Sequence, residues 1–254
     1  MVIVGITGPI GHGKTTLANF LAQQDATSQQ AETSQVIAEV ADRLNKFFVW
    51  EAPSELDLSS VNRWLSHLPG ILESVTHTKI DHSKLVLLEQ DIKAHKADYE
   101  KLWDYIYAAR HNPKLLTEHI VAENKTAYRS LLQWIGGYCV THVNTGIWYN
   151  ELIRRAHVAE TQGCRLFIIG GVRFPSDADI VHQAGGKIIR IVRPGAIEQD
   201  KADPTERDRV KIAYDTTITN NGNLDELMHL SMQVYGDLYG NVLKKDFPGL
   251  NINP

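Results

Sequence analysis

The sequence predicts a three-layer α/β sandwich on a mainly parallel sheet of about five strands, and three observations predict it. A short apolar run, Val2-Ile3-Val4-Gly5-Ile6, leads into Gly8-Pro9-Ile10-Gly11-His12-Gly13-Lys14-Thr15, which satisfies G-x-x-x-x-G-K-S/T. Strand-like runs alternate with helical patterns in the last third of the chain. Residues 54 to about 142 hold almost nothing that reads as a buried strand, so a helical insertion interrupts a single domain spanning the 254 residues.

The glycine-rich stretch is a nucleotide triphosphate site by its chemistry. Glycines let the backbone curl so that successive N–H groups face phosphate oxygens, and the helix that follows adds its positive end. Lys14 supplies a point charge for the β- and γ-phosphates, and the Thr15 hydroxyl is the natural protein ligand for Mg²⁺. The context is right: a strand precedes the motif, and Leu17, Ala18, Leu21 and Ala22 follow it at helical spacing.

A helix is expected from about Thr15 to Gln24. The polar stretch Asp25 to Gln35 is too poor in apolar residues for a central strand but has room for a short edge strand. Thr33 or Ser34 caps a second helix, with Val36, Val40, Leu44 and Phe47 on one face. Within the insertion, Leu85, Leu88, Ile92, His95, Tyr99, Leu102 and Ile106 alternate by threes and fours along one long helix. Such a seam pairs with a helix of the same chain or of a second subunit, which makes a homodimer one expectation. His95 within it reads as a packed residue, not a ligand. Tyr128, Leu131, Leu132 and Ile135 mark another helix, expected to end near Gly136-Gly137. Leu166-Phe167-Ile168-Ile169 suits a parallel strand covered on both faces. Ser176 to Ala184 is helical, Lys187 to Val192 is the next strand, and Thr216 to Thr219 is the last. Asn221-Gly222-Asn223 then opens a final helix.

Bulk properties narrow the function. With 26 basic and 30 acidic side chains the net charge is −4, which disfavours a nucleic-acid-coating protein and, with no recognisable motor motif, a DNA-dependent ATPase. Cys139 and Cys164 share no metal or disulfide spacing and read as buried hydrophobes in a reducing compartment. No long uncharged apolar segment is present, so a soluble, cytoplasmic protein with no membrane partner is expected.

Several stretches taken together resemble one family. They are Gly8 to Thr16, Arg129-Ser130-Leu131-Leu132-Gln133-Trp134-Ile135-Gly136, Ile147-Trp148, Val172 to Asp179, Gly185-Gly186 to Gly195, and Ile218-Thr219-Asn220-Asn221-Gly222-Asn223-Leu224. The set is similar to the deoxynucleoside monophosphate kinases of tailed bacteriophages, within the phosphate-loop (P-loop) NTPase fold. No counterpart is recognised from about 45 to 125. The resemblance implies transfer of the γ-phosphate of ATP to a deoxynucleoside monophosphate, with Mg²⁺, and an insertion that binds the acceptor.

On that resemblance Gly8, Gly11, His12, Gly13, Lys14, Thr15 and Thr16 bind the donor, joined by Arg193 after the fourth strand. Lys14 and Arg173 are the expected catalytic residues, and Thr15 the metal ligand. For Arg173 two readings stand: a grip on phosphate at the carboxyl end of a strand, or a salt bridge to Asp177 or Asp179. Arg129 and Gln133, four apart on one helical face, suit an acceptor phosphate and a base edge, while a plain surface role for Arg129 has equal standing. Trp148 is either a base-stacking indole or a packed one. Arg207 and Arg209 fit a closing lid or an ordinary solvated helix start. Glu32 is the one carboxylate placed to orient an acceptor, against a surface role.

Two departures stand out. The aspartate usual before Val-Arg-Phe is replaced by Gly171. The residues after Gly136, Gly137-Tyr138-Cys139-Val140-Thr141-His142, lack the usual threonine, glutamate and arginine. They keep other readings open: a kinase for a modified nucleotide, for a base in DNA or for dephospho-coenzyme A, and a nucleotide-binding regulator without turnover.

Overall fold

The computed structural model describes residues 1–48, 58–85, 96–121, 123–196 and 210–246. In chain order the first elements are β1 (Val2–Thr7), α1 (Lys14–Gln23), β2 (Gln29–Glu32), α2 (Thr33–Asn45), α3 (Leu58–Leu65) and α4 (Leu68–Thr76). Then come α5 (Lys96–His111), α6 (Arg129–His142), α7 (Ile147–Thr161), β3 (Leu166–Gly170), α8 (Pro175–Gln183), β4 (Lys187–Val192), β5 (Thr216–Thr219) and α9 (Leu224–Asp246). The chain divides into two compact units, Met1–Glu32 with Leu152–Pro254, and Thr33–Glu151.

The first unit carries the sheet. Its five strands run parallel in the order β2-β3-β1-β4-β5. Strand β1 is central and buried at every position, as a parallel strand covered on both faces must be. One face is the larger core: Val2, Val4 and Ile6 alternate inward with Leu166, Ile168, Ile189, Ile191 and Ile218, against Leu17 and Leu21 of α1 and Leu227 and Val234 of α9. The other face is sealed by α8, packed on β1 and β4. A Cβ at Gly5 would lie 2.6 Å from Ile188 Cδ1 and 2.8 Å from Val172 Cγ2, so only glycine fits that side of β1. Helices on both faces make the three layers the sequence predicts. The polar stretch after α1 yields β2, a four-residue edge strand in which only Ala31 is buried.

The second unit is helical among the described residues. Helix α2 packs on α4 and α6, and α5 packs on α6. Val36, Val40 and Leu44 face the core as expected, but Phe47 does not join them. The helix ends at Asn45, and Phe47 sits in the following turn, 47% exposed, its ring stacked on His67 at 4.0 Å.

Of the predicted long seam, Leu88, Ile92 and His95 lie outside the described residues. Leu85 closes a short 3-10 turn, and the described helix starts at Lys96. Tyr99, Leu102 and Ile106 are fully buried, with the Tyr99 ring 6.3 Å from Trp134 and 5.8 Å from Tyr138 of α6. Tyr99, Leu102 and Ile106 are therefore spent inside the chain.

Gly136-Gly137 does not end its helix, which runs on to His142. A Cβ at Gly136 would stand 3.1 Å from Ile37 Cδ1 of α2, so the residue is small because two helices meet there. That close contact offsets the roughly 1 kcal/mol glycine costs in a helix. No described helix is long and apolar enough to cross a membrane.

Candidate active site

The phosphate loop hangs between the end of β1 and α1. Its conformation needs glycine at three points, with φ of 150° at Gly8, 80° at Gly11 and 100° at Gly13. A Cβ at Gly8 would come within 2.3 Å of the Ile191 carbonyl oxygen, so β4 supports the loop from one side. Lys14 opens α1, and its ammonium donates to the carbonyl oxygens of Gly8 (2.7 Å) and Pro9 (2.8 Å), lying back across the loop. The first N–H groups of α1 have no partner within the helix by its geometry and project from its positive end. Thr15 is exposed and Thr16 half-buried in that first turn. His12 is buried; its Nδ1 accepts the Arg193 backbone N–H at 2.9 Å, which ties the loop to the segment following β4.

An open cleft of about 490 Å³ adjoins the loop, walled by Pro9, His12, Arg190, Arg193, Pro194 and Ala196 among others. The guanidinium of Arg190 lies 5.1 Å over the Tyr214 ring and donates to its hydroxyl at 3.3 Å, so it is held by its neighbour. Arg193 is exposed at the cleft. Apolar side chains and two cations lining the cleft suit a nucleotide base and its phosphates.

Segment 171–174 leaves the same end of the sheet. The Thr7 hydroxyl donates to the Val172 carbonyl at 2.9 Å, and the Val172 N–H to the Ile6 carbonyl at 2.9 Å. Arg173 follows, exposed, and its guanidinium makes no ion pair among the described residues. The salt-bridge reading fails in detail. Asp177, in the first turn of α8, accepts the backbone N–H groups of Arg173 (3.2 Å) and Phe174 (3.0 Å) instead of the guanidinium. Burial pushes the Asp177 carboxyl up to about 6, with those two N–H groups and the Arg173 charge pulling the other way. Asp177 fixes the backbone that presents Arg173.

At Gly171, with φ of 75°, a Cβ would meet open space. The neighbouring edge strand supplies a carboxylate nearby: Glu32 pairs in register with Gly170, and its Oε1 stands 3.0 Å from where a Gly170 Cβ would be. Among the described residues no group of three or more metal-ligating side chains exists.

In the helical unit, Arg129 starts α6 and Gln133 follows one turn later, both exposed. Trp148 departs from the base-stacking expectation. It is 4% exposed, and its indole N–H is spent on the Gly136 carbonyl at 3.1 Å, so it packs in the core. Arg207 and Arg209 lie outside the described residues. Sequence reasoning overlooked Asn220 and the backbone role of Asp177. The Asn220-Asn221-Gly222 turn after a strand was the available signal.

Comparison with known proteins covers a long stretch beyond the phosphate loop. The family model described as "Deoxynucleotide monophosphate kinase" matches residues 69–230, a span that includes Arg129, Gln133, Arg173, Arg193 and Asn220. It reaches back over much of the stretch before residue 125 for which no counterpart was recognised. A protein of Acanthamoeba polyphaga mimivirus, described as "Putative deoxynucleotide monophosphate kinase", is 33% identical over 81 residues, 32% of this chain. The matched region covers 38% of that relative's length. The phosphate loop lies ahead of the family match, so its reading rests on the motif and its geometry. With more than half of its length matched and the sheet and loop in place, the chain belongs to the deoxynucleotide monophosphate kinase family.

Proposed function

We propose that this protein transfers the γ-phosphoryl group of ATP to a deoxynucleoside monophosphate, yielding ADP and the deoxynucleoside diphosphate. The observation that carries this reading is the phosphate loop with Lys14 laid across it, in a chain of this family. An oxygen of the acceptor phosphate attacks the γ-phosphorus while the bond to the β,γ-bridging oxygen breaks, and ADP leaves with that electron pair. The acceptor is already ionised, so no general base is required. Catalysis then rests on alignment and charge.

Lys14 neutralises charge on the β- and γ-phosphates, and the exposed guanidinium of Arg173 grips the transferring group from the end of β3. The donor base lies in the cleft beside Arg193 and Pro194. Arg129 and Gln133 receive the acceptor on the helical unit, which serves as the acceptor-binding insertion. The residues present fit Mg²⁺ held by the Thr15 hydroxyl, phosphate oxygens and water, with Glu32 a carboxylate beside Gly170 at the same strand end; the ion supplies further charge neutralisation when bound. A cytoplasmic location suits these substrates.

Incubation with ATP, Mg²⁺ and each deoxynucleoside monophosphate, followed by chromatography, tests the reading. A deoxynucleoside diphosphate matched by ADP is expected with at least one acceptor. Lys14→Ala should remain folded by circular dichroism while losing about 100-fold or more in turnover. Unchanged turnover in that variant removes the loop from the reaction. Transfer only to another acceptor, which the altered residues after Gly136 keep open, or tight ATP binding without product, which Gly171 keeps open, replaces the proposal.

A further inference from the structure

Asn220 lies immediately beyond the edge strand β5, yet it is 7% exposed and its side chain reaches the phosphate loop. Its backbone N–H donates to the Val192 carbonyl at 2.7 Å, which carries the β4–β5 ladder one step past the strand. Its side chain then does two things. The Nδ2 amide donates to the His12 carbonyl at 2.9 Å, and Oδ1 accepts the Gly222 N–H at 2.9 Å. The amide rests against the bare Cα of Gly13, where a Cβ would stand 2.6 Å from Nδ2. A Cβ at Gly222 would likewise stand 2.8 Å from an Arg193 guanidinium nitrogen, so the same turn supports Arg193.

The geometry has a consequence for phosphate binding. The His12 carbonyl and the Gly13 N–H belong to one planar trans peptide and point in opposite directions. Fixing the carbonyl on Asn220 therefore fixes the direction of the Gly13 N–H, one of the loop amides that must face the polyphosphate. We infer that Asn220 is a positioning residue for the donor: through the His12 carbonyl it aims the Gly13 N–H at the triphosphate of ATP. This rests on the donor site proposed above and extends it to a residue remote from the loop in sequence.

Two variants separate the possibilities. Asn220→Leu is uncharged, close in shape, and removes both side-chain hydrogen bonds. Asn220→Asp keeps the acceptor for Gly222 and removes the donor to His12. Calorimetry with a non-hydrolysable ATP analogue and Mg²⁺ should show affinity reduced about tenfold or more in both, since each removes the amide donor that Asn220 gives to the His12 carbonyl. The KM for ATP should rise in parallel while the KM for the monophosphate stays within about twofold. A merely structural role lowers the melting temperature and the active fraction but leaves both KM values alone, and that result overturns the inference. So does wild-type affinity in either folded variant. Amide NMR of the wild type decides independently of folding: the Gly13 N–H resonance must shift on adding the analogue, and a stationary resonance refutes the assignment. Wild-type protein that binds the analogue without phosphorylating any monophosphate sinks the proposed reaction alone, whereas Asn220 variants that bind normally sink this inference alone.

Discussion

Asp177 shows how one buried carboxylate sets both geometry and pH response. It accepts two backbone N–H groups beside Arg173, yet burial dominates and its pKa sits at about 6. An unfolded aspartate titrates near about 3.9, so folding favours the protonated form. The stability Asp177 contributes is full below that value and declines as pH rises through about 6. Asp177→Asn keeps an acceptor and removes the charge, so its stability should show a shallower fall between about pH 4 and pH 6 than the wild type does. Urea titrations across that range check this, and identical slopes refute it. The motif made Lys14 and Thr15 legible from sequence because their chemistry is local to eight residues. Asp177 and Asn220 were harder to read. Their roles depend on backbone groups brought to them by the sheet, and sequence spacing does not encode a hydrogen bond from residue 220 to residue 12. Trp148 shows the limit from the other side: an indole at the expected place turned inward because a carbonyl at Gly136 was there to receive its N–H.

At the level of elements, periodicity located β1, β3 and β4 well, since parallel strands covered on both faces need unbroken apolar runs. It misjudged the end of α6. Gly136-Gly137 reads as a stop, but glycine also permits close helix contact, and here α2 is the neighbour. This contact makes a testable claim. Gly136→Ala should be nearly neutral, because improved helix propensity offsets the push on the flexible end of Ile37. Gly136→Val adds bulk that Ile37 cannot escape and should cost about 1–3 kcal/mol. Thermal melts of the pair check the order, and a fully tolerated valine contradicts the packing described. Phe47 failed for a related reason: periodicity carries no information on where a helix stops, and α2 stopped two residues short.

Over the whole molecule, the first unit is tied together far from its active site by Asp25. This carboxylate, buried at the end of α1, receives the Thr27 N–H and hydroxyl, the hydroxyls of Tyr235 and Tyr239 on α9, and an ion pair from Arg165 at 3.2 Å. Burial opposes its ionisation, but the hydrogen bonds from Thr27 and Tyr239 and the Arg165 charge outweigh it and hold the pKa well below the usual carboxylate range. The sign is opposite to that of Asp177. Stability from Asp25 is complete above the unfolded value of about 3.9 and is lost as pH falls below it. Asp25→Asn should be less stable at neutral pH and should lose less on acidification; a variant with the wild-type acid limb rules the anchor out.

The sheet's two rims carry a last implication. Both β2 and β5 are four-residue strands with three of four side chains exposed, glutamine and glutamate on one rim and threonine on the other. Such stubs give an incoming chain few rungs and no greasy strip to grip. Edge-to-edge stacking of copies through β2 or β5 should therefore be weak.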